Sequence, residues 1–467
     1  MPSSPVNPPD AADRLGTEPV GRLLFRFSLP AITGMLVNAL YNVVDRIFVG
    51  RAVNEAALGG LALVMPLMTI FMAFAMLFGL GSANMISMRL GQGRREEAEN
   101  TLNHCLVLLI GMGFVIMTVG LLFTDEILSL MGAQEGSQAL GYARAYFRIT
   151  LYGSVFGMVG FGLSHCTRAQ GFPKITMMAM LLAAGLNIIL DALFILVFGW
   201  GVEGAAWATV ISQFVSGLWI LSFCLSKKAV IRLKLAAFKP SFKIVRDIMS
   251  FGSPQFLMHI VMAVVQALYN TSLGWYGAAA LGVIQGGDIA LSGIAIINSF
   301  AMLIAMPIFG INQGVQPILG YNYGAKKYDR VLKAYLRAIT AATCICIVGY
   351  IVIQGFPLAI IRLFAPDGSE VLFAFAPRAM RIFLLMLPLL GFQIISANMF
   401  TFTGRPKISI MLNMVRQCII LIPCIIIFGR TWGLWGVIMA APVADFFAFL
   451  FTGTMILFEL KKLRSAV

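Results

Sequence analysis

Four side chains with oxygen atoms have types and spacing that predict a binding site for one cation. Asp191 lies four residues after Asn187, so the two share one helix face, one turn apart. Asp191 and Thr209 each lie about 9 Å from the same predicted membrane edge, at 1.5 Å per residue, and Asp45 lies at a similar depth. Carboxylate, amide and hydroxyl oxygens suit a hard cation, so we expect these four side chains to converge around one.

The identity of that cation stays open at this point. Oxygen ligands suit Na⁺, whereas two carboxylates close together in a low-dielectric medium favour uptake of H⁺. The structural alternative is that Asp45 pairs with Arg46 or Arg51. Asn187 and Thr209 would then only bond helices together. An ionised side chain inside a membrane costs about 2.5 to 3.5 kcal/mol, so a functional role is the default hypothesis for such acids.

A third acid, Asp445, lies midway along the last apolar segment, at the position that Gln213 has in the first half of the chain. It predicts a second proton or substrate site, to which Gln266 and Asn270 of the seventh segment can contribute. It equally predicts an ion pair with Arg416 of the eleventh segment. The sequence leaves both interpretations open.

Long apolar helices are needed to position these residues. Hydrophobic residues make up 59% of the 467 positions, charged residues make up 12%, and the mean hydropathy is +0.89. A spanning helix needs about 20 apolar residues, so the sequence predicts an all-α polytopic membrane protein with twelve spans. The spans lie near residues 24–48, 57–82, 102–123, 145–165, 174–198, 203–225, 250–273, 289–312, 332–353, 379–402, 408–428 and 434–458.

Basic residues predict the orientation of these spans. The two tails and the alternate loops on their side hold 25 Lys and Arg residues, and the opposite loops hold eight. Positive loops face the cytoplasm, so we expect a multi-pass inner-membrane protein with both termini cytoplasmic. The same distribution explains the net charge of +14 through orientation and contact with membrane lipids, and it argues against nucleic acid as a partner.

The two halves of the chain repeat at an offset of about 232 residues. The clearest match pairs Phe172-Pro-Lys-Ile-Thr176 with Arg405-Pro-Lys-Ile-Ser409, and each half contains six spans. An even number of spans per half predicts two parallel six-helix lobes with pseudo-two-fold symmetry, an architecture typical of transporters. We expect a disordered cytoplasmic tail over 1–22, an N-lobe over 23–226, a basic linker over 227–247, a C-lobe over 248–460 and a second tail over 461–467.

The sequence contains no motif that predicts an enzyme. The phosphate-binding pattern GxxxxGK[ST] is absent, and so are the hydrolase patterns GxSxG and HExxH. The seven cysteines include no CxxC pair. We therefore expect neither catalysis nor a cofactor, and no metal beyond Na⁺.

Several motifs resemble the MATE (multidrug and toxic compound extrusion) family, in its bacterial branch, over about residues 20–460. They are Phe27-Ser-Leu-Pro30, Asp45-Arg-Ile-Phe-Val-Gly50, Leu186-Asn-Ile-Ile-Leu-Asp191 and Gln313-Gly-Val-Gln-Pro-Ile-Leu-Gly-Tyr-Asn-Tyr-Gly324. The resemblance implies a twelve-helix MATE-type fold and a cation site in the N-lobe on the four residues named first. Some members use an acid on span 7 instead, but this span has none.

The resemblance also implies a function, which is the export of lipophilic organic cations such as drugs and dyes in exchange for H⁺ or Na⁺. We expect an antiporter that works by alternating access and functions as a monomer. The alternative within the same superfamily is a flippase for lipid-linked oligosaccharides, which needs a cationic cavity for phosphate. An orphan receptor or scaffold is a third possibility.

Overall fold

A computed structural model describes residues 12–52, 55–131, 137–234, 238–283, 285–366 and 368–465. Within these ranges, the side chains of residues 41–43, 45–47, 49–52, 55, 56 and 58 are not described. The described chain is almost entirely helical, as its apolar composition requires, because a helix satisfies every backbone polar group within its own segment.

The chain divides into two compact units. The first comprises Met1–Phe256 and Gln316–Lys327, and the second comprises Leu257–Val315 and Tyr328–Val467. Two long helices, α9 (Phe242–Ala280) and α10 (Gly286–Gly324), contribute residues to both units. The lobe and linker boundaries predicted above stay a prediction.

The first unit is built on eight helices. They are α1 (Asp13–Thr17), α2 (Val20–Ala52), α3 (Glu55–Gly91), α4 (Arg95–Leu122), α5 (Thr124–Leu130), α6 (Gln138–Ala169), α7 (Pro173–Asp191) and α8 (Gly201–Leu225). A π-helical segment, Ala192–Val197, continues α7. Helix α6 lies at the centre of this unit and packs on α3, α4 and α8.

Pairs of glycines allow α6 to approach its neighbours closely. A Cβ atom on Gly79 of α3 would lie 2.5 Å from the Cα atom of Gly162, and one on Gly160 would lie 2.9 Å from the Cα atom of Gly217 in α8. Membrane helices have no hydrophobic force between them and associate through such tight packing. These contacts hold α3, α6 and α8 around the cavity described below.

The second unit contains six further helices. They are α11 (Tyr328–Gly355), α12 (Pro357–Phe364), α13 (Glu370–Phe383), α14 (Leu387–Phe402), α15 (Pro406–Met414) and α16 (Ile422–Ser465). A π-helical segment, Val415–Leu421, joins α15 to α16. The core of this unit contains buried side chains from α9 to α14 and α16, including Leu273, Ile353 and Val437.

The described helices account for twelve spans. Ten stretches are long and apolar enough to cross a membrane, and α13 with α14 forms another that bends by 44°. One of the ten, Pro406–Ser465, has 60 residues, far more than the roughly 20 that cross a bilayer. Its backbone leaves the helical conformation at Gly433, where φ is +59°, so this stretch contains two spans.

The N-terminal tail differs from the predicted disordered segment. Residues 1–11 lie outside the described residues, but α1 follows them and its Leu15 is fully buried. Asn322 at the end of α10 donates its amide to the Leu15 carbonyl at 2.9 Å, and Lys327 donates to the Gly16 carbonyl at 2.9 Å. The prediction of disorder is therefore wrong for α1, because buried apolar side chains and two hydrogen bonds to its carbonyl groups dock it.

A buried amide pair joins α3 to the end of α10. Gln316 donates to the side-chain oxygen of Asn84 at 2.8 Å, and the two residues are 232 positions apart. Both side chains are about 99% buried in the first unit. Net hydrogen-bond energies are modest, but removing one partner would leave a buried amide unsatisfied.

Candidate functional site

A cavity of about 340 Å³ lies inside the first unit, between helices α2, α3, α6, α7 and α8. Helix α3 contributes Met65, Met68 and Met72 to its wall, and α7 contributes Met180. Phe71 and Phe161 add aromatic faces. The wall is therefore largely apolar and polarizable, which suits ligands of varied shape.

Polar groups also line this cavity, and every one of them is uncharged. They are Asn38, Thr69, Tyr146, Thr150, Ser154, Ser164, Asn187, Thr209, Ser212, Gln213 and Ser216. Among the described lining residues there is no Lys, Arg, Asp or Glu. Hydroxyl and amide oxygens with aromatic faces can solvate a positive charge, whereas no cationic side chain in this wall is available to an anion.

Two of the four predicted cation ligands are in contact at this cavity. The side-chain amide of Asn187 donates to the hydroxyl oxygen of Thr209 at 3.4 Å, which is long for a hydrogen bond. Asn187 is 98% buried, and its side-chain oxygen has no hydrogen-bond partner among the described residues. This oxygen can therefore accept a proton donor or coordinate a cation.

Asp191 lies one helical turn beyond Asn187 in α7 and is fully buried. The α-helix ends at Asp191 and passes into the π-helical segment, a local geometry that often marks functional sites. Asp45 lies in α2, which packs on α7, but its side chain is outside the described residues. The structure thus joins Asn187 to Thr209 and places Asp191 next to them along the helix, while the contribution of Asp45 stays a prediction.

The polar wall of the cavity is a feature that the sequence analysis did not find. Thr209, Ser212, Gln213 and Ser216 recur at the i, i+3, i+4 and i+7 spacing that places them on one face of α8. In a membrane helix, such a polar stripe indicates a face turned away from lipid. Counting apolar residues alone hides this signal.

The second candidate site lies in the second unit and has a different character. The guanidinium of Arg416 donates to a carboxylate oxygen of Asp445 at 2.6 Å, so the structure contains the ion pair that was one of the two interpretations. Gln393 donates to the main-chain carbonyl of Asp445 at 2.6 Å. Arg416 belongs to the second π-helical segment.

Gln266 and Asn270 are not joined to this ion pair by hydrogen bonds among the described residues. Gln266 donates to the side-chain oxygen of Asn270 at 2.9 Å, one turn along α9, and both side chains are exposed. A role for Asp445, Gln266 and Asn270 as a second proton or substrate site stays a prediction. No group of three or more metal-ligating side chains occurs in the described ranges.

Comparison with known families gives a match over most of the chain. The family model MatE matches residues 30–193 and 254–427, one stretch in each half. The multidrug export protein MepA of Staphylococcus aureus (strain MRSA252) is 28% identical over 430 residues, which are 91% of each chain. MepA of Staphylococcus haemolyticus (strain JCSC1435) is 28% identical over 427 residues, which are 91% of this chain and 90% of the relative.

Solved structures resemble the whole chain. An outward-facing multidrug resistance MATE family transporter of the MOP superfamily superposes with a TM-score of 0.88, at 27% identity, over 97% of this chain and 98% of that one. A MOP superfamily transporter from Pyrococcus furiosus, described as having a binding pocket of reverse polarity that suggests a different function, superposes at 0.87 and 27% identity, over 96% and 99%. The predicted fold of twelve membrane-spanning helices in two six-helix lobes is confirmed.

Proposed function

The chain belongs to the MATE family, and on that premise we propose that it is a secondary active multidrug exporter of lipophilic organic cations, exchanged for H⁺ or Na⁺. The curated relatives are named as multidrug export proteins, and they match nearly the full length of the chain. The observation that carries the proposal is the uncharged cavity of the first unit, in which a buried amide oxygen of Asn187 faces no described donor.

The lining of this cavity favours cationic over anionic cargo. Methionine and aromatic side chains supply polarizable surface, and the amide and hydroxyl oxygens supply partial negative charge. A flippase for phosphate-bearing lipids would need basic side chains in its cavity, and the described wall has none. Arg416, the basic residue within the eleventh apolar segment, already forms an ion pair with Asp445.

We place the coupling ion at Asp45, Asn187, Asp191 and Thr209. An ion drives transport only if its affinity differs between the two access states, because a ligand with equal affinity for both shifts no equilibrium. Three of these residues line or adjoin the cavity, so ion binding there is coupled to its shape by direct contact. Both H⁺ and Na⁺ fit this set of oxygen atoms.

The wider setting is part of the same proposal. The protein functions as a monomer in the bacterial inner membrane, with both termini cytoplasmic, and contacts membrane lipids but no nucleic acid. Its lobes comprise 23–226 and 248–460, with the basic linker 227–247 between them. It catalyses no chemical reaction, and its cofactor requirement is limited to the coupling ion.

The test is efflux of ethidium from cells that express the protein, under imposed H⁺ and Na⁺ gradients applied separately. Asp191→Asn removes the charge and keeps the shape, so we expect the efflux rate to fall about a hundredfold, since a buried ionic interaction is worth about 3 kcal/mol. The matched control is Glu126→Gln, which removes an exposed acid of the same unit and should leave efflux unchanged.

The outcome decides between the candidate functions. Efflux that follows one gradient and is lost only in Asp191→Asn supports the antiporter and identifies the ion. No efflux under either gradient, with the protein confirmed in the membrane, contradicts the exporter. The flippase would then be tested directly, by following translocation of a fluorescent lipid-linked oligosaccharide in reconstituted vesicles.

A further inference from the structure

An open cleft of about 470 Å³ lies in the second unit, between the end of α11, helix α12 and helix α13. Its apolar wall includes Phe356, Pro357, Leu358 and Phe373, and its polar wall includes Arg378 and Arg381. We call this feature the arginine cleft. Phe356 is 67% exposed, so the apolar wall is open to its surroundings.

The depth of the arginine cleft follows from helix lengths. About 20 residues cross the roughly 30 Å hydrocarbon layer, and counting 20 residues back from Phe402 along α14 and α13 reaches the residue after Arg381. Counting 20 residues forward from Arg337, the last basic residue at the start of α11, reaches Pro357. Both counts place the cleft at the interface opposite the basic loops, which is the outer interface in the proposed orientation.

A tryptophan beside the arginine cleft also indicates a position at the membrane interface. The guanidinium carbon of Arg378 lies 4.6 Å from the centre of the Trp435 ring, a cation–π contact. Tryptophan is enriched at membrane interfaces, where one part of the ring is apolar and another meets water. Gln354 at the end of α11 donates to the Arg381 carbonyl at 3.1 Å and fastens α11 to α13 there.

The two arginines are available to an anion. Both side chains are exposed, and neither forms an ion pair with any carboxylate in the described part of the chain. All eight basic residues predicted on this side of the membrane are arginine, although lysine is common on the other side. The planar guanidinium binds phosphate through two parallel hydrogen bonds, which the ammonium of lysine cannot make.

We propose that the arginine cleft binds an anionic phospholipid of the outer leaflet. Arg378 and Arg381 hold the headgroup phosphate, and Phe356, Leu358 and Phe373 pack against the acyl chain. The open apolar wall beside the guanidinium groups favours a lipid over free phosphate, which has no apolar part to bury. This site is independent of the cargo, so its test is separate from the test of export.

The experiment measures binding of short-chain phosphatidylglycerol to the purified full-length protein in detergent, by native mass spectrometry. Each arginine beside an anionic headgroup lowers the dissociation constant about fivefold, so the variant Arg378→Gln/Arg381→Gln should bind about 30-fold more weakly. The matched control is Arg430→Gln, an exposed basic residue of the same unit outside the cleft, which should bind within about twofold of the wild type.

Two further probes separate the sources of phosphate. Phosphatidylethanolamine, which has no net charge, should bind weakly and equally to all variants, and inorganic phosphate alone should not compete at concentrations that saturate phosphatidylglycerol. Equal phosphatidylglycerol binding by the double variant and the wild type overturns the proposal. Competition by inorganic phosphate at matched concentration overturns the assignment to a lipid.

A folding defect in the glutamine variant would not leave the question open. The thermal unfolding temperature of each variant is measured first, without added lipid. If the glutamine pair is unstable, Arg378→Lys/Arg381→Lys keeps both charges and removes the planar fork. Its affinity for phosphatidylglycerol must then fall below that of the wild type, and an unchanged affinity contradicts the proposed phosphate contact.

Discussion

Ala183 and Gln213 in the first half of the repeat correspond to Arg416 and Asp445 in the second half. In the first unit both residues line the cavity, and neither carries a charge. In the second unit the equivalent residues form an ion pair at 2.6 Å, with 27% and 15% of their side chains exposed. One half therefore has an open, uncharged cavity wall where the other has paired charges.

This difference shows how the two halves of a repeated fold can take different roles, so that one half binds a ligand and the other stabilises the structure. Desolvating two opposite charges costs about as much as their attraction returns, so such a pair fixes a geometry more than it adds stability. An uncharged cavity avoids that cost and keeps room for a ligand. Changing the charges at these equivalent positions tests whether the two halves differ in this way.

The largest expected effect comes from removing one member of the ion pair. Arg416→Ala or Asp445→Gln leaves the other charge uncompensated, and each should lower the free energy of unfolding by about 3 to 5 kcal/mol. The double variant Arg416→Ala/Asp445→Gln carries the residues of the first half and should lose only about 1 kcal/mol. Chemical and thermal unfolding in detergent measure these values.

Additive losses in that double variant would contradict a purely structural pair. Transport measured on the same three proteins addresses the other interpretation of Asp445. If the double variant is as stable as the wild type but no longer couples efflux to an ion gradient, Asp445 acts as a second proton site. If the double variant has both the stability and the ion coupling of the wild type, the ion pair serves only to stabilise the second unit.

A smaller effect is expected from placing a positive charge in the uncharged cavity. Gln213→Lys brings an ammonium group to within about 8 Å of a bound organic cation, and their repulsion at an effective dielectric constant of about 20 is about 2 kcal/mol. Efflux of ethidium at low concentration should therefore fall about 30-fold. The control Gln213→Met keeps the length without the charge and should keep most of the activity.

Removing the amide of Asn187 should affect transport less than the charge introduced at Gln213. Asn187→Leu removes the side-chain oxygen that has no described partner, and a contact to an ion from such a group is worth about 1.5 kcal/mol. The concentration of coupling ion that gives half-maximal efflux should rise about tenfold, while the maximal rate changes little. An unchanged ion dependence would remove Asn187 from the proposed site.

The sequence predicted the twelve spans well because hydropathy and length determine them directly. Counting residues along two adjacent helices placed Asp191 level with Thr209, whereas in the structure Asn187, one turn before Asp191, is the residue that contacts Thr209. The N-terminal helix was missed because Leu15 is an isolated apolar residue among polar ones, and its order depends on contacts with residues distant in the sequence, such as Asn322 and Lys327.

The cavity and the arginine cleft could not be predicted from the same signals. The cavity depends on how far α3, α6 and α8 separate, and close approaches such as Gly160 against Gly217 set that spacing. The cleft depends on how α12 and α13 pack beside the end of α11, which the continuous apolar pattern does not reveal. Packing geometry, rather than residue type, decides both features.

The smallest expected effect concerns Thr209, and it tests whether its hydroxyl or its shape matters. Thr209→Val keeps the branched shape and removes the oxygen that accepts the Asn187 amide, at a cost of about 1 kcal/mol. The half-maximal ion concentration should rise about fivefold, and Thr209→Ser, which keeps the hydroxyl, should stay within about twofold of the wild type. If valine and serine behave alike, Thr209 only fills space beside Asn187, and the ion site must be completed by other oxygen atoms of the first unit.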